Sequence, residues 1–189
     1  MALSQMFMRN FAPVFLLAFG IGSVHAQSYG IGHVVSEKDI APWNIDVSAD
    51  GSGLPAGKGS VTEGKRVYET TCIVCHGVNG QGKPADQLAG GQGTLKAASP
   101  VKTIGSFWPY ATTVFDFVNR AMPYDRPKSL SANEVYAVTA YLLNLNGIVG
   151  AETVLDAKSL PQVRMPNRDG FVPDPRPDAA GIACHSNCK

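Results

Sequence analysis

The sequence has 189 residues, with 16 basic and 15 acidic side chains and a formal net charge of +1 at pH 7. A nucleic-acid-binding domain needs a basic surface, so this balance argues against a nucleic-acid partner. It also argues against strong long-range attraction to a charged partner. The length corresponds to one domain.

Residues 1–26 predict a secretory signal peptide. Arg9 supplies a positive charge, an apolar run follows at residues 11–24, and Val24-His25-Ala26 has the small residues of a cleavage site. The apolar run is short for a membrane span, so we expect cleavage after Ala26, with a retained N-terminal anchor as the alternative. The residues that follow contain no other long apolar run. We therefore expect the mature chain in the periplasm, without membrane contact.

Residues 27–59 predict an extended N-terminal arm. Glycine, proline and serine are frequent in residues 50–59, which disfavours a helix there. Trp43 is the large apolar side chain of this segment, and we expect it to anchor the arm on the domain. A disordered leader is the alternative that the glycine content leaves open.

Three helical patterns follow in the domain that we assign to residues 60–148. The first helix opens at Ser60 and the last at Ser131, because each serine is followed three residues later by a glutamate and so forms a capping box. The middle helix covers about residues 111–121 and ends before Met122-Pro123, and the last helix ends at Asn146-Gly147. The positions that share helical faces are Val61, Gly64, Val67, Tyr68, Val114, Phe115, Val118, Val135, Val138, Tyr141, Leu142 and Leu145.

Gly64 lies in the middle of the first helix, where glycine costs stability relative to alanine. This cost predicts that another element packs closely against it. The last helix is the expected partner, with Tyr141 lying against Gly64. Ordinary core filling without a special crossing is the alternative.

The segment Cys72-Ile73-Val74-Cys75-His76 matches the C-x-x-C-H pattern of c-type haem attachment. Two thiols one helical turn apart can bond the two vinyl groups of a porphyrin, and the adjoining imidazole then reaches the iron. We therefore predict one covalent haem, with thioethers at Cys72 and Cys75 and with His76 as an axial ligand. A thioredoxin-like pair would need a βαβ surround and a structural zinc site would need four ligands, and both are weaker interpretations of this sequence.

Met122 is the expected second axial ligand. Met122 and Met165 are the methionines left after signal cleavage, and Met122 lies between a helix end and the last helix, where it can face the side of the haem opposite His76. The alternatives are Met165, an open iron, or ligation by His33 or His185. Met/His ligation raises the haem potential relative to two histidines, which suits electron transfer rather than oxygen activation.

Residues 77–106 are rich in glycine and proline and are expected to wrap over the haem plane. Trp108 and Tyr110 can donate hydrogen bonds to haem propionates while their rings pack against apolar groups, or they can be ordinary core aromatics. Pro84 can lie beside His76 and allow a backbone carbonyl to accept its Nδ1 proton.

Residues 149–189 are rich in proline, aspartate and arginine and predict an irregular C-terminal arm with little regular structure beyond short turns. Cys184 and Cys188 lie near its end. In an oxidising compartment they most simply form a disulfide, and free or intermolecular thiols are the alternative. The expected apolar anchors of the arm are Leu155, Leu160, Val163 and Phe171.

Several stretches of the sequence resemble the cytochrome subunit of sulfur dehydrogenase, the SoxD family. They are GGQGTL at 90–95, PVKTIGSFWPYATT at 100–113, RAMP at 120–123, EVYAVTAYL at 134–142, MPN at 165–167 and DGFV at 169–172. The resemblance covers most of the mature chain and is more specific than C-x-x-C-H alone. It implies an all-α, class I cytochrome c fold of three to four helices around one haem, with extended arms at both ends.

The same resemblance implies residue roles and partners. It gives Cys72, Cys75, His76 and Met122 the roles described above, and it implies a molybdenum-cofactor subunit that oxidises a sulfur compound. Related cytochrome subunits of sulfite dehydrogenases are similar. Two departures matter, since some members carry two haem domains where this chain has one C-x-x-C-H, and Asp86 stands where a proline is often found.

These observations favour a periplasmic monohaem electron carrier rather than an enzyme. The carrier would accept electrons from a molybdenum-containing sulfur or sulfite dehydrogenase subunit and pass them to a downstream cytochrome, and its long arms suit a subunit interface. A free soluble shuttle without a permanent partner is one alternative. A haem enzyme that acts directly on thiosulfate or peroxide is another, and it would need an open or labile iron.

Overall fold

The computed structural model describes residues 30–175. The chain divides into two units, Met1–Ser36 and Glu37–Lys189, and the described residues of the first unit are exposed and lie outside helices and strands. The expected signal peptide at residues 1–26 lies outside the described residues. So do Cys184 and Cys188, with His185 between them.

Helices dominate the described part of the second unit. The helices are α1 Glu37–Ile40, α2 Val61–Thr71, α3 Ile73–His76, α4 Ala111–Ala121 and α5 Ala132–Leu145, the strands are β1 Lys58–Ser60 and β2 Val154–Asp156, and single 3-10 turns lie at Thr94–Lys96 and Leu160–Gln162. The expectation of a mainly helical fold is confirmed, and the two short strands are an addition to it.

Helices α2 and α5 both begin where the capping boxes predict. The Ser60 hydroxyl accepts a hydrogen bond from the backbone N–H of Glu63, and the Glu63 carboxylate accepts one from the backbone N–H of Ser60. Ser131 and Glu134 repeat this reciprocal arrangement at α5. Each box satisfies N–H groups that a helix start leaves without partners.

Helices α2 and α5 pack against each other and form what we call the helix frame. A Cβ atom at Gly64 would lie 2.8 Å from the Cβ of Tyr141 and would clash with the backbone carbonyl of Ala137. The predicted close approach at Gly64 is confirmed. The absence of a side chain at this position is what allows the two helix backbones to meet.

Helix α5 is buried on almost all sides, more widely than its predicted stripe. It packs against α2, α4, β1 and β2, and the ring of Phe115 in α4 lies 4.5 Å from the ring of Tyr136. A one-faced apolar pattern underestimates burial for a helix that other elements surround. The buried residues of α5 are Val135, Tyr136, Ala137, Val138, Thr139, Ala140, Leu142 and Leu143.

Strands β1 and β2 pair in antiparallel fashion, with Gly59 opposite Leu155. The sequence analysis predicted neither strand, so the expectation of little regular structure after residue 149 was wrong at β2. The anchors Leu155 and Leu160 are confirmed, since they are 2% and 0% exposed, whereas Phe171 is 55% exposed. A three-residue strand carries too little periodicity to be recognised from sequence alone.

Trp43 does not anchor the N-terminal arm, and that expectation was wrong. The Trp43 side chain is 78% exposed, and its ring lies 5.7 Å from the Lys128 ammonium group. Val47 is a buried residue of this arm, and its backbone N–H donates to the Asp116 carboxylate over 3.0 Å. Because Asp116 is buried in α4, its carboxylate needs donors, and the backbone of the arm supplies one.

Candidate haem site

The C-x-x-C-H segment occupies the junction of two helices. Cys72 ends α2 and precedes the single turn α3, which contains Cys75 and His76. Both thiols are free, with Cys72 partly buried and Cys75 exposed. Burial, and secondarily the neighbouring Cys75, raises the pKa of the Cys72 thiol to about 11. Cys72 and Cys75 are therefore one helical turn apart.

His76 is held in one orientation by a backbone carbonyl. Its Nδ1 lies 2.8 Å from the carbonyl oxygen of Asp86. A carbonyl can only accept, so Nδ1 carries the proton and Nε2 is the nitrogen that remains for a metal. A carbonyl partner for Nδ1 was predicted near Pro84, and the structure places it at Asp86, two residues later.

Residues 77–106, which we call the proximal loop, are tied to the motif by backbone hydrogen bonds. The N–H groups of Gly82 and Ala85 donate to the carbonyls of His76 and Cys75, each over 2.9 Å. The Tyr68 hydroxyl of α2 donates to the Gly77 carbonyl over 2.7 Å. These bonds fix the position of the imidazole relative to the helix frame.

Asn146 fastens the far side of the proximal loop to the end of α5. Its side-chain oxygen accepts from the Gly90 N–H over 3.0 Å, and its amide group donates to the carbonyls of Leu88 and Leu142 over 3.1 and 2.9 Å. In the sequence, Asn146 marks only the end of the last helix. Its long-range role could not be read from the sequence, because its loop partners Gly90 and Leu88 lie 56 and 58 positions away.

Met122 lies at the C-terminal end of α4, partly buried at the edge of the core. Met165, the alternative ligand, is 1% exposed within the core. The identity of the second axial ligand stays a prediction. His33, the other alternative among the described residues, is exposed.

Trp108 and Tyr110 are both partly buried but have different surroundings. The Trp108 ring meets the ring of Phe117 edge to face, with 5.7 Å between their centroids. The Tyr110 ring instead stacks under the Arg168 guanidinium at 4.2 Å. Phe117 was missed in the sequence analysis. Phe117 is 45% exposed on α4. Its position outside the apolar stripe of that helix was the sequence feature that could have identified it.

The side chains around the motif fit a haem. Two free thiols lie one turn apart, and His76 offers Nε2 because Nδ1 is already engaged. Partly buried apolar side chains at the edge of the core are of the kind against which a porphyrin packs. These partly buried side chains include Ile73, Leu88, Trp108, Met122 and Leu130.

Other features of the described residues do not compete with this site. An open cleft of about 410 Å³ contains none of the motif residues, and residues 30–175 bring no three His, Cys, Asp or Glu side chains together as metal ligands. No helix within that range is both long and apolar enough to cross a bilayer. The cleft is lined by Asn146, Gly147, Ile148, Arg164, Met165 and Pro166.

Comparisons with known proteins agree with this geometry. The family model for cytochrome c matches residues 61–146. Among solved structures, the chain is similar to one in the sulfane dehydrogenase SoxCD from Paracoccus pantotrophus, with 39% identity and a TM-score of 0.75 over 86% of this chain and 83% of that chain. The comparison with curated proteins gave no significant match. Membership in the matched family implies covalently bound haem c and electron transfer. The resemblance noted in the sequence is thus confirmed, and the chain belongs to the cytochrome c family.

Proposed function

We propose that this chain is a monohaem cytochrome with a class I fold, in which Cys72 and Cys75 hold the haem covalently and His76 and Met122 are the axial ligands. The observation that carries the proposal is the fixed imidazole. His76 directly follows two free thiols on one turn, and its Nδ1 is bound to the Asp86 carbonyl. This arrangement leaves Nε2 as the ligand atom.

Residues of this chain would set the ligand orientation and the reduction potential of the haem. A bound haem supplies reversible one-electron oxidation and reduction of its iron. The Asp86 carbonyl orients the His76 imidazole and increases its basicity through the Nδ1 hydrogen bond. A thioether from Met122 raises the potential relative to a second imidazole. Trp108 and Tyr110 are the proposed contacts of the haem propionates.

We infer that the electrons come from a molybdenum-containing sulfur or sulfite dehydrogenase subunit and pass to a downstream cytochrome. The 39% identity to a chain of a sulfane dehydrogenase supports this inference, because the match covers 86% of this chain and so extends beyond residues 61–146. Substrate oxidation would then belong to the partner. We place the complex in the periplasm, after cleavage of the signal peptide at residues 1–26.

The axial assignment is tested by substituting Met122. We expect Met122→Ala to remove the ferric thioether-to-iron absorption band and to admit carbon monoxide to the ferrous iron, and Met122→His to lower the potential. Met165→Leu is the matched control. Because Met165 is buried in the core, the variant should keep the absorption band. A band that survives Met122→Ala unchanged would exclude Met122 as the ligand.

The partnership is tested on the native protein. Gel filtration should yield a stable complex that contains molybdenum, and sulfite or thiosulfate added to that complex should reduce the haem. A lone species with the size of the mature chain would instead support a free shuttle. Reduction by one of the two sulfur compounds would also identify the substrate.

A further inference from the structure

We propose that Asn146 is a positioning residue for the axial imidazole, acting on His76 through the proximal loop. The inference rests on the proposed function in one respect, namely that His76 binds the haem iron. Asn146 is 9% exposed and lies directly after α5. It lies 70 positions from His76 in the sequence, and the path between them consists of hydrogen bonds that the structure describes.

The first step of the path joins the Asn146 side chain to two residues of the loop, Leu88 and Gly90. The side-chain oxygen accepts from the Gly90 N–H, and the amide group donates to the Leu88 carbonyl. The backbone carbonyl of Asn146 also accepts from the Gln92 side chain over 3.2 Å. Residues 88–92 are therefore held against the end of α5 at three points.

The second step joins this segment to the imidazole. The Leu88 N–H donates to the Gly80 carbonyl over 2.7 Å, and the Ala85 N–H donates to the Cys75 carbonyl over 2.9 Å. Asp86 lies between these two attachments and is itself exposed. Its carbonyl is therefore aimed at His76 by the residues on either side of it. Asn146 reinforces the Leu88 side of that support by donating to the Leu88 carbonyl, which also accepts from the Ile104 N–H over 3.3 Å.

Asparagine suits this position because both ends of its amide group are used. The side-chain NH₂ group donates to the carbonyls of Leu88 and of Leu142 in the last helical turn, and the side-chain oxygen accepts from the Gly90 N–H. Aspartate would lose the two donated bonds. The space is also tight, since a Cβ at Gly105 would lie 2.8 Å from Cγ of Asn146 and would clash with its side-chain oxygen.

The consequence for the haem concerns the strength of one hydrogen bond. A firmly held carbonyl at Nδ1 makes the imidazole a better electron donor, which stabilises ferric iron and lowers the potential. If Asn146 is removed, the Asp86 carbonyl becomes less well oriented. The Nδ1 hydrogen bond then weakens, and the potential rises.

The test compares Asn146→Ala with Asn144→Ala in the full-length holoprotein. Asn144 lies in the last turn of α5 and donates to the Val149 carbonyl over 2.8 Å, so it fastens the C-terminal arm rather than the proximal loop. Exchange of the His76 Nδ1 proton, followed by NMR of the reduced protein, should become roughly tenfold faster in Asn146→Ala. The midpoint potential should shift upward. Asn144→Ala should change neither quantity.

The inference is overturned if Asn146→Ala and Asn144→Ala show the same proton exchange and the same potential under conditions where their unfolding free energies are equal. It is also overturned if Asn146→Ala leaves exchange and potential unchanged. If Asn146→Ala does not fold, Asn146→Asp replaces it and is judged by the exchange of the His76 Nδ1 proton alone. Aspartate keeps the acceptor for Gly90 but loses the bond to the Leu88 carbonyl, so exchange should still become faster. The potential is not compared for this variant, because the added negative charge lowers it directly. A mature protein without covalent haem would overturn the proposed function. A haem protein in which only the Asn146 shifts are missing would overturn the present inference alone.

Discussion

The helix frame and the proximal loop are neighbouring parts of one small domain, yet different interactions hold them together. The frame consists of α2 and α5, and its contacts are apolar side chains and one close backbone crossing at Gly64. The proximal loop, residues 77–106, is held mainly by hydrogen bonds among backbone groups, hydroxyls and the Asn146 amide. The frame should therefore be sensitive to added volume and the loop to lost hydrogen bonds.

Two buried threonines illustrate the difference. The Thr103 hydroxyl in the loop donates to the Gly90 carbonyl and accepts from the Ser106 N–H over 3.2 Å. The Thr139 hydroxyl in the frame is fully buried, and it has no hydrogen-bond partner among the described residues. One threonine is part of a network, and the other mainly fills space.

The largest effect is expected for Gly64→Ala, which adds volume to the frame. We expect the free energy of unfolding to fall by about 3 kcal/mol. The new Cβ would clash with the Ala137 carbonyl, and a backbone atom cannot rotate out of the way. This cost outweighs the gain of about 1 kcal/mol that alanine brings to a helix interior. Urea unfolding of the ferric holoprotein measures the change.

Gly147→Ala is the control for Gly64→Ala. Gly147 has a φ of +70°, and a Cβ there would meet no atom within 4 Å. Only backbone strain of about 1 kcal/mol is expected. If Gly64→Ala costs no more than this control, the backbone contact does not hold the frame together.

The sequence predicted the frame well because its determinants are local. Both capping boxes span four residues, and the apolar repeat of each helix lies within a few turns. Gly64 was identified by the same local reasoning, since a costly glycine in a helix interior implies a close neighbour. The burial predicted for Trp43 was wrong because burial of a lone aromatic residue depends on contacts with residues far away in the sequence. A turn-rich segment has no periodic pattern from which such contacts can be predicted.

The next largest effect is expected for Thr103→Val, which we compare with Thr139→Val, because valine has nearly the same shape as threonine. Thr103→Val should cost about 2 kcal/mol, because it leaves the Gly90 carbonyl and the Ser106 N–H without their partner. Thr139→Val should be neutral or stabilising, because burial of an unpaired hydroxyl is itself costly. The two unfolding free energies provide the measurement, and equal losses in both variants would contradict the distinction between loop and frame.

The candidate site was predictable only where it is local. Cys72, Cys75 and His76 share one turn, so their spacing alone was enough to propose them. The chain order singled out Met122, and its role as a ligand stays a prediction. The contacts of Asn146 with residues 88–92 could not be predicted, because they join segments separated by 54 to 58 positions. Hydrogen bonds of this kind leave no periodic pattern in a sequence.

The smallest effect concerns Tyr68, which links the frame to the loop through its bond to Gly77. Burial raises the pKa of Tyr68 to about 12. A folded-state pKa above the unfolded value of about 10 stabilises the fold below pH 10, and this contribution is lost as the pH rises toward 12. Tyr68→Phe should cost about 1 kcal/mol at neutral pH, and its difference from the wild type should shrink over that alkaline range.

Tyr136→Phe separates the two roles of such a tyrosine. Tyr136 also has a pKa raised to about 12 by burial, and its hydroxyl donates to the Pro55 carbonyl over 2.8 Å, so it links the frame to the N-terminal arm. Both variants should lose similar stability with the same alkaline trend. Only Tyr68→Phe should speed amide exchange at Gly82, whose N–H bonds to the His76 carbonyl, because only Tyr68 holds the proximal loop. Equal exchange rates at Gly82 in the two variants would mean that the loop holds its shape without help from the frame.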